Sequence, residues 1–476
     1  MIPATFRHAV EEALGQDFLH TSAELLTSHG QDWTRVYPPN PCAVTFPRST
    51  EEVSTLLKLC SLHQVQVVPS GGRTGLAGGA VAAEGELVIS LDKMNHIDEV
   101  SPMARTVRVQ AGAITAAVHQ HCEPHGLTWP VDFASSGSSQ IGGNISTNAG
   151  GVRVVRYGHT RQWVLGLQVV LMSGEVLELN GDLEKNNTGI DLRQLFIGSE
   201  GTLGIITEAT LKLAPLPKAT AVALLGVETF PSALKVFETA RQDPDLTIQA
   251  FEYFTDECLK VVLKHHGGNA PLTTSCPSYV LVEVEAATEE AATEALERWL
   301  EACFEKQLLT DGVVAQSSKD AAALWGLREN ISESLNRESF VYKYDVAVPV
   351  VQLAAFEEEL LTLTRGNGNN YPIYVFGHVG DGNLHLNILK PTAVEVDTFL
   401  EACRAAEPEL FRLLQRHRGS VSAEHGIGLL KKKALPFSRN PVELHLFATL
   451  KKAFDPSHLM NPGKILDHPA GDSHEP

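Results

Sequence analysis

Short apolar runs separated by turn-forming residues fill the chain from about residue 37 to 217, a pattern typical of short strands with a few helices. Ser49 and Glu52 form a capping box ahead of apolar residues at helical spacing, which predicts a helix. Residues 65–68 and 86–91 are mostly apolar and predict short strands. This part of the chain is therefore predicted to consist mainly of strands.

Longer elements follow after residue 217. Residues 278–285 alternate apolar and polar positions and predict a strand, whereas 287–306 and 320–335 have the spacing of amphipathic helices. Asn440 caps a further predicted helix. The alternation of strands and helices predicts a second, α+β domain that ends near residue 420.

The charge balance excludes one class of partner. The chain has 476 residues, and 57 acidic against 38 basic side chains give a formal net charge of −19. Nucleic acids are held by dense basic surfaces, so we expect no nucleic-acid partner. The length suggests about three domains.

The cysteines and the N-terminal residues indicate the cellular compartment of the protein. Seven scattered cysteines with no C-x-x-C pair predict free thiols in a reducing compartment. The N-terminal residues lack a cationic leader followed by an apolar core, and no apolar run is long enough to span a membrane. We expect a cytoplasmic protein, or one of an organelle matrix, without an integral membrane segment.

Three tracts of small residues indicate a large ligand that lies against the backbone: PSGGRTGLAGG at 69–79, SSGSSQIGGNISTNAGG at 135–151 and GSEGTLGIIT at 198–207. Glycine lacks a Cβ and allows positive φ, so successive N–H groups can surround phosphate oxygens. The first tract is neither a Rossmann fingerprint nor a P-loop, because a strand follows it. One tract alone would indicate tight turns, but the three together predict a pyrophosphate-containing ligand.

A metal site is predicted around the sequence GHVGDGNLHLN. Asp381-Gly382 is a preferred two-residue hairpin turn, which would pair His378 directly with His385. Asn387 would then lie on the same face of the hairpin. Opposed histidines are close enough to share a metal ion, although a surface hairpin with paired histidines is the alternative.

A third ligand must come from elsewhere, and the sequence SAEHGIG offers Glu424 and His425. Two histidines and a carboxylate leave coordination positions open, and zinc, manganese and iron all accept such ligands. A metal hydrolase would use the same set to activate water.

Two cationic side chains are predicted to bind an anionic substrate. Arg328 and Ser332 are four residues apart and share a face of the predicted helix, and Lys343 follows in VYKYDV. Arginine binds a carboxylate through two hydrogen bonds and lysine adds a point charge. An exposed helix with salt bridges is the alternative.

The three tracts resemble, in order and spacing, the FAD-binding half of the vanillyl-alcohol-oxidase type flavoproteins, and the chain from about 37 to 466 resembles their D-2-hydroxy-acid dehydrogenases. M-N-P-G-K near the end resembles the closing motif of that family. The resemblance implies FAD contacts along the tracts and at this motif: Pro69, Gly71, Gly72, Arg73, Thr74, Gly75, Leu76, Ser138, Gly142, Gly143, Thr147, Asn148, Gly204, Ile206 and Asn461. The first tract contains no histidine, so we expect non-covalent FAD.

The resemblance also implies roles for the predicted metal and substrate residues. His378, His385 and Glu424 would bind a divalent metal, with zinc favoured and manganese or iron as alternatives. His425 would be the catalytic base, since its ordinary pKa of about 6.5 suits proton abstraction near neutral pH. The substrate contacts would come from four further side chains: Arg328, Ser332, Lys343 and Asn387.

The implied activity is oxidation of a D-2-hydroxy acid by hydride transfer to flavin N5, and the branch of the family most similar to this chain acts on D-2-hydroxyglutarate. D-Lactate, glycolate and D-malate are the alternative substrates within the family. A non-catalytic flavoprotein subunit and a metal hydrolase are the alternative classes of protein. Electrons would pass to an electron-transfer flavoprotein or a quinone-linked acceptor, and a homodimer stays open.

The implied fold is α+β, with three parts along the chain. A two-part FAD-binding domain would occupy residues 1–217, with its core at 37–217. An antiparallel-sheet substrate domain with helices would occupy 218–420. A small helical segment at 421–476 would return to the flavin domain.

Overall fold

The computed structural model describes residues 2–366 and 371–467. The chain forms two compact units. Unit 1 contains the described residues through Gly151, then Gly158–Leu216, and those from Glu424 onward, whereas unit 2 contains Val152–Tyr157 and Pro217–Ala423. Residues 152–157 thus belong to unit 2, although the predicted first domain includes them.

Fifteen α-helices are present among the described residues: α1 Ala4–Leu14, α2 Ala23–His29, α3 Thr50–Leu62, α4 Thr115–Cys122, α5 Ile141–Thr147, α6 Val154–Tyr157, α7 Arg193–Phe196, α8 Phe230–Gln242, α9 Asp256–His266, α10 Glu289–Glu305, α11 Ser318–Glu329, α12 Ile331–Glu338, α13 Leu353–Gly366, α14 Val396–Arg416 and α15 Pro441–Phe454. None of these described helices is both long and apolar enough to cross a membrane.

Sixteen β-strands are present among the described residues: β1 Ala43–Thr45, β2 Val67–Ser70, β3 Leu87–Ser90, β4 Thr106–Gln110, β5 Leu127–Thr128, β6 Val164–Val170, β7 Val176–Leu179, β8 Ile205–Lys212, β9 Ala214–Pro215, β10 Ala219–Val227, β11 Thr247–Thr255, β12 Ser278–Ala286, β13 Asp311–Val314, β14 Val341–Ala347, β15 Ile373–Gly377 and β16 Asn383–Leu389. The α+β fold predicted from the sequence is confirmed.

Unit 1 has a two-part architecture. Its first part is a parallel sheet in the order β1-β3-β2, and its second is an antiparallel sheet in the order β4-β8-β6-β7, with β5 paired to β9. In the parallel sheet, Val67 and Leu87 are buried in the main core while Val68 and Val88 are buried in a smaller cluster. Burial on both faces explains why these strands are continuous apolar runs.

The outer edge of β2 is covered by the end of the chain. Val67 donates its N–H to the Leu459 carbonyl at 2.8 Å and accepts from the N–H of Asn461, also at 2.8 Å. Pro69, predicted to close the strand, instead lies within β2 and pairs with Ile89. This edge position tolerates a residue that has no N–H.

The two predicted caps are confirmed. The Ser49 side chain accepts a hydrogen bond from the N–H of Glu52 at the start of α3. At the start of α15, Asn440 and Glu443 form a reciprocal capping box with Pro441 in the first turn. Both helices therefore begin where their side chains satisfy the free N–H groups.

Unit 2 is built on a seven-stranded antiparallel sheet in the order β13-β10-β12-β11-β15-β16-β14. Apolar side chains of α9, α11 and α12, among them Leu259, Leu324 and Leu335, share one buried cluster with Phe254 and Phe376 of the sheet. These helices cover the sheet face that carries the predicted substrate residues.

The predicted continuous helix over 320–335 is wrong. Asn330 has φ −81° and ψ 0°, so it ends α11 and begins α12. A ψ near zero turns the chain out of the α-helical path. Arg328 and Ser332 therefore lie on two consecutive helices rather than on one helical face.

Candidate functional site

The first and second glycine tracts touch each other in unit 1. A Cβ added to Gly72 would lie 2.2 Å from the Ser138 carbonyl oxygen and 2.9 Å from the Ser139 Cα. Only glycine permits so close an approach of two backbones. Gly142 likewise packs on Ala111, where a Cβ would meet the alanine methyl at 2.7 Å.

Other glycines of these tracts face open space. A Cβ at Gly75 or at Gly143 would have no heavy atom within 4 Å. Gly75 is exposed and Gly143 is half-buried. The tracts therefore offer backbone that a long ligand can approach, as a pyrophosphate requires, so the arrangement fits FAD.

Arg73 binds within its own loop. It has φ +58°, and its guanidinium donates to the Gly71 carbonyl at 2.7 Å and to the Asp92 carboxylate at 3.3 Å. Burial alone would raise the pKa of Asp92, but hydrogen bonds from His29 and Gln140 and the charge of Arg73 hold it well below the ordinary range. Among the described contacts Arg73 braces its own loop, and its FAD contact stays a prediction.

The polar side chains of the second tract also bond within the protein. Thr147 donates to the Gly143 carbonyl at 3.1 Å, and Ser138 donates to the Ser135 carbonyl at 3.4 Å. Asn148 ends α5 with φ +51°, and its Oδ1 accepts from the N–H of Arg161 at 3.0 Å. These bonds fix the turn that presents the tract.

The third tract carries a residue that sequence reasoning missed. Glu200 is buried, and its carboxylate accepts the N–H groups of Ile427 and Gly428, each at 2.7 Å. Burial raises the pKa of Glu200, although these two bonds oppose the shift. Its position inside a glycine-rich motif was the only signal in the sequence.

Two predicted FAD residues of this tract serve the core. A Cβ at Gly204 would lie 2.8 Å from Val169 Cγ1, and Ile206 is buried in β8. Asn461 instead joins two tracts, because its Nδ2 donates to the carbonyls of Gly79 at 3.0 Å and Glu200 at 2.7 Å. Its Oδ1 is buried with no hydrogen-bond partner among the described residues.

Glu424 and His425 begin the segment of unit 1 that returns after unit 2. Each offers a ligand atom within 4.8 Å of the other. The following turn is held by Glu200 of the third tract and by Ala77 of the first, whose carbonyl accepts the N–H of Leu429 at 2.8 Å. The flavin tracts therefore fix the loop that carries both predicted functional side chains.

The predicted register of the histidine hairpin is wrong. In unit 2, β15 and β16 pair Phe376 with His385, so His378 lies in the connecting loop. The His378 carbonyl accepts the N–H of both Asp381 and Asn383. Contacts with β14 outweigh the turn preference, since the Asn383 Nδ2 donates to Asp345 Oδ1 at 3.0 Å.

The two imidazoles nevertheless come together. The ring centroids of His378 and His385 are 5.3 Å apart, and the rings offer nitrogens within 4.8 Å of each other. His378 Nδ1 is 2.6 Å from Glu252 Oε1, and His385 Nδ1 is 3.8 Å from Asp345 Oδ1. Carboxylates behind ring nitrogens are typical of metal-binding histidines.

Glu252, on β11, is a second residue that sequence reasoning missed. Its carboxylate is fully buried, and Oε2 lies 2.8 Å from Arg328 Nη2. Burial alone would raise the pKa of Glu252, but the charges of His378 and Arg328 and the hydrogen bond with His378 lower it below the ordinary value. The guanidinium carbon of Arg328 also lies 4.8 Å from the centroid of the Phe376 ring.

The remaining predicted substrate residues lie on the same face of the sheet or beside it. Lys343 of β14 is directly opposite Asn387 of β16, which pairs with Tyr374 on its other side. The protein around Lys343 lowers its pKa by desolvation, while part of the side chain still reaches solvent. Ser332 is half-buried in the first turn of α12.

Comparison with known proteins identifies the family. The sequence matches the family models described as FAD binding domain, over residues 41–180, and FAD linked oxidases, C-terminal domain, over 216–465. A D-2-hydroxyglutarate dehydrogenase of Stutzerimonas stutzeri is 48% identical over 94% of this chain and 95% of its own length. The mitochondrial D-2-hydroxyglutarate dehydrogenase of Danio rerio is 37% identical over 94% of this chain and 82% of its own length.

Solved structures of low sequence identity share the fold. p-Cresol methylhydroxylase matches with a TM-score of 0.74 at 15% identity, covering 98% of this chain and 97% of its own. 4-Ethylphenol oxidase from Gulosibacter chungangensis matches with a TM-score of 0.73 at 18% identity and the same coverage. With FAD-binding tracts, an FAD-linked oxidase domain and full-length relatives of this kind, the chain belongs to the FAD-dependent D-2-hydroxy-acid dehydrogenases of the vanillyl-alcohol-oxidase type flavoprotein superfamily.

Proposed function

We propose that this enzyme oxidises D-2-hydroxyglutarate to 2-oxoglutarate and uses a divalent metal at His378, His385 and Glu424. The observation that carries the proposal is the buried carboxylate of Glu252, which lies 2.6 Å from His378 and 2.8 Å from Arg328. It links a metal-binding imidazole to a carboxylate-binding guanidinium. A substrate with a hydroxy acid at one end and a second carboxylate at the other matches this pair.

The metal ligands are proposed from unit 2 and from the next residue of the chain. The backbone N–H of Ala423 donates to the carbonyl of Asp345, and Asp345 is opposite His385 in the sheet. Glu424 follows Ala423 directly, and consecutive Cα atoms are about 3.8 Å apart. A divalent cation held there would lower the pKa of the substrate's α-hydroxyl group. Zinc is favoured because two imidazoles and a carboxylate are common zinc ligands, with manganese and iron as alternatives.

His425 is proposed to take the hydroxyl proton. It is adjacent to Glu424 and precedes a turn fixed by the first and third flavin tracts. FAD, when bound there without a covalent link, supplies the acceptor for the hydride that leaves C2 of the substrate. Loss of the hydroxyl proton and of the C2 hydride together would complete the two-electron oxidation.

The distal carboxylate is proposed to bind Arg328, Ser332 and Lys343, with Asn387 at the C1 end. Arg328 Nε is buried and has no hydrogen-bond partner among the described residues. A buried guanidinium N–H without an acceptor is costly, and a substrate carboxylate would satisfy it. D-Lactate and glycolate lack this carboxylate, so they are the weaker alternatives, while D-malate retains it on a shorter chain.

The proposal also covers the electron acceptor and the cellular location. Reduced flavin would be reoxidised by an electron-transfer flavoprotein or by a quinone-linked route. All seven cysteines are free thiols in the structure, which supports a cytoplasmic location in a bacterial cell. A homodimer is compatible with the proposed chemistry and is not required by it.

The test is anaerobic bleaching of the flavin absorbance of the purified protein. D-2-Hydroxyglutarate should bleach it rapidly, whereas L-2-hydroxyglutarate and D-lactate should not. A chelator-treated sample should lose the response and regain it when zinc is added back. Equal bleaching by D-lactate would contradict the distal clamp, and unchanged bleaching after complete metal removal would contradict the metal site.

A further inference from the structure

Glu252 touches both ends of the proposed site, although it is not itself one of the proposed ligands. It lies near the centre of β11 and is fully buried. Oε1 is engaged by His378 Nδ1 and Oε2 by Arg328 Nη2. A buried carboxylate held on both oxygens by two functional side chains fixes the separation between those side chains.

We propose that Glu252 is a positioning residue that aligns His378 for the metal and Arg328 for the distal carboxylate, and that it thereby selects dicarboxylate substrates of one length. This inference rests on the proposed function. It adds a residue that contacts neither the metal nor the substrate in that proposal.

The first step concerns the imidazole. A neutral histidine carries its proton on one ring nitrogen, and a carboxylate at Nδ1 keeps the proton there. Nε2 of His378 then presents its lone pair to the cation. Carboxylates in this position raise the basicity of the ligand and fix the ring, and their loss costs 10- to 100-fold in metal affinity in other proteins.

The second step concerns the guanidinium. Arg328 is held by Glu252 on one side and by the ring of Phe376 on another, with 4.8 Å from the guanidinium carbon to the ring centroid. The Phe376 ring lies 5.1 Å from that of His385, which in turn lies 5.3 Å from that of His378. Together with the contact between His378 and Glu252, these contacts join five side chains in a closed ring. A shift of the Arg328 guanidinium would therefore displace the His378 imidazole, and the reverse.

The third step is that Glu252 contacts Nη2 of the Arg328 guanidinium and leaves Nε available to another acceptor. Nη2 is in ion-pair contact with Glu252 at 2.8 Å, and both Nη2 and Nε are buried without a hydrogen bond among the described residues. Glu252 also compensates the positive charge of Arg328 before a substrate arrives. The distal carboxylate therefore meets a guanidinium that is already oriented, and a ligand of the wrong length cannot reach it.

The experiment compares the Glu252→Ala and Glu252→Gln variants with the wild-type holoenzyme. Glu283→Gln is the matched control, because Glu283 is also a buried carboxylate of this sheet but bonds to Trp325 at 2.8 Å and Arg153 at 3.2 Å. Three quantities are measured: zinc affinity by competition with a chelator, flavin content, and kcat/KM for D-2-hydroxyglutarate and D-lactate.

We expect Glu252→Ala to weaken zinc binding about 10- to 100-fold and to lower the preference for D-2-hydroxyglutarate over D-lactate, with flavin content unchanged. Glu252→Gln retains an oxygen that can accept from His378 but loses the negative charge beside Arg328. Compared with Glu252→Ala, it should therefore weaken zinc binding less and lower the preference for D-2-hydroxyglutarate more. Zinc affinity within twofold of wild type in a folded Glu252→Ala variant would overturn the inference, as would equal losses in Glu283→Gln. If the wild-type protein itself binds no zinc, manganese or iron, the proposed metal site fails and this inference fails with it.

Discussion

At the residue scale, two neighbouring side chains have different proposed duties. Glu424 is assigned to the metal and His425 to the substrate proton, and both directly precede a turn tied to Glu200 and Ala77. Glu424 and His425 offer ligand atoms within 4.8 Å of each other, so a cation held by one would lie close to the other.

Replacement of His425 by glutamine should separate these duties. A positioned general base contributes about 10²- to 10⁴-fold to rate, so we expect kcat for D-2-hydroxyglutarate to fall by that factor. Zinc binding and flavin content should stay at wild-type values, because Glu424 and the tracts are unchanged. Steady-state kinetics with metal and flavin analysis would test this prediction.

His445→Gln is the control for that experiment, since His445 is exposed on α15. It should leave kcat unchanged. A His425→Gln enzyme that turns over within threefold of wild type would remove the assignment of the base.

Sequence reasoning at this scale finds residues in motifs and misses residues that act through distant contacts. His378 and His385 are seven positions apart in a recognisable motif, whereas Glu252 meets His378 across 126 positions of sequence. Nothing in the local sequence of β11 distinguishes Glu252 from a residue at the solvent face. Only the pairing order of the strands brings it to the site.

At the scale of elements, the loop between β15 and β16 decides where His378 points. Gly382 has φ +91°, and a Cβ there would lie 2.2 Å from the Val348 carbonyl oxygen. The Val348 N–H also donates to the Gly382 carbonyl at 3.0 Å. The loop is therefore clamped against the residues that follow β14.

Substitution of Gly382 by alanine should displace this loop. A left-handed backbone costs a non-glycine residue about 1–2 kcal/mol, and the clash with Val348 adds to that. We expect a lower melting temperature and weaker zinc binding. Thermal unfolding and zinc competition would measure both effects.

Gly85→Ala is a matched control, because Gly85 has the same φ of +91° and no heavy atom within 4 Å of an added Cβ. It should lower the melting temperature less and leave zinc binding unchanged. Equal effects of the two substitutions on zinc binding would show that the loop geometry does not matter for the metal.

The elements themselves differ in how well the sequence predicts them. The caps of α3 and α15 depend on residues within three positions, so the local pattern suffices. The hairpin register and the break at Asn330 depend on packing against other strands and helices. A preferred turn such as Asp381-Gly382 yields when a third strand offers more hydrogen bonds than the turn itself.

At the scale of the whole molecule, the returning C-terminal segment buries a charged pair in unit 1. Lys464 Nζ lies 3.7 Å from Glu86 Oε1, and both side chains are almost fully buried. Burial lowers the pKa of Lys464 to about 8, although the charge of Glu86 opposes this shift. An unfolded lysine has a pKa of about 10.4.

This difference predicts a pH dependence of stability. Between about pH 8 and 10.4 the unfolded chain keeps the proton that the folded chain has lost, so stability should rise with pH in that window. Lys464→Met cannot titrate, and the melting temperature of the wild type relative to this variant should rise from pH 8 to pH 10. The gain is at most about 3 kcal/mol.

Scanning calorimetry at several pH values would measure the difference, with Lys452→Met on the exposed side of α15 as control. The control should follow the wild type throughout. A constant gap between wild type and Lys464→Met over the window would contradict the shifted pKa of the buried amine.

The covered edge of β2 also has a consequence for biosynthesis. Asn461 bonds to the Gly79 carbonyl across 382 positions of sequence, and the Leu459 carbonyl accepts the N–H of Val67. At about 5–20 residues per second, a ribosome needs roughly 20 to 80 s to make the intervening chain. During that time the nascent flavin unit has an open strand edge and an incomplete cradle, so synthesis of residues 459–461 determines when the cofactor can be retained.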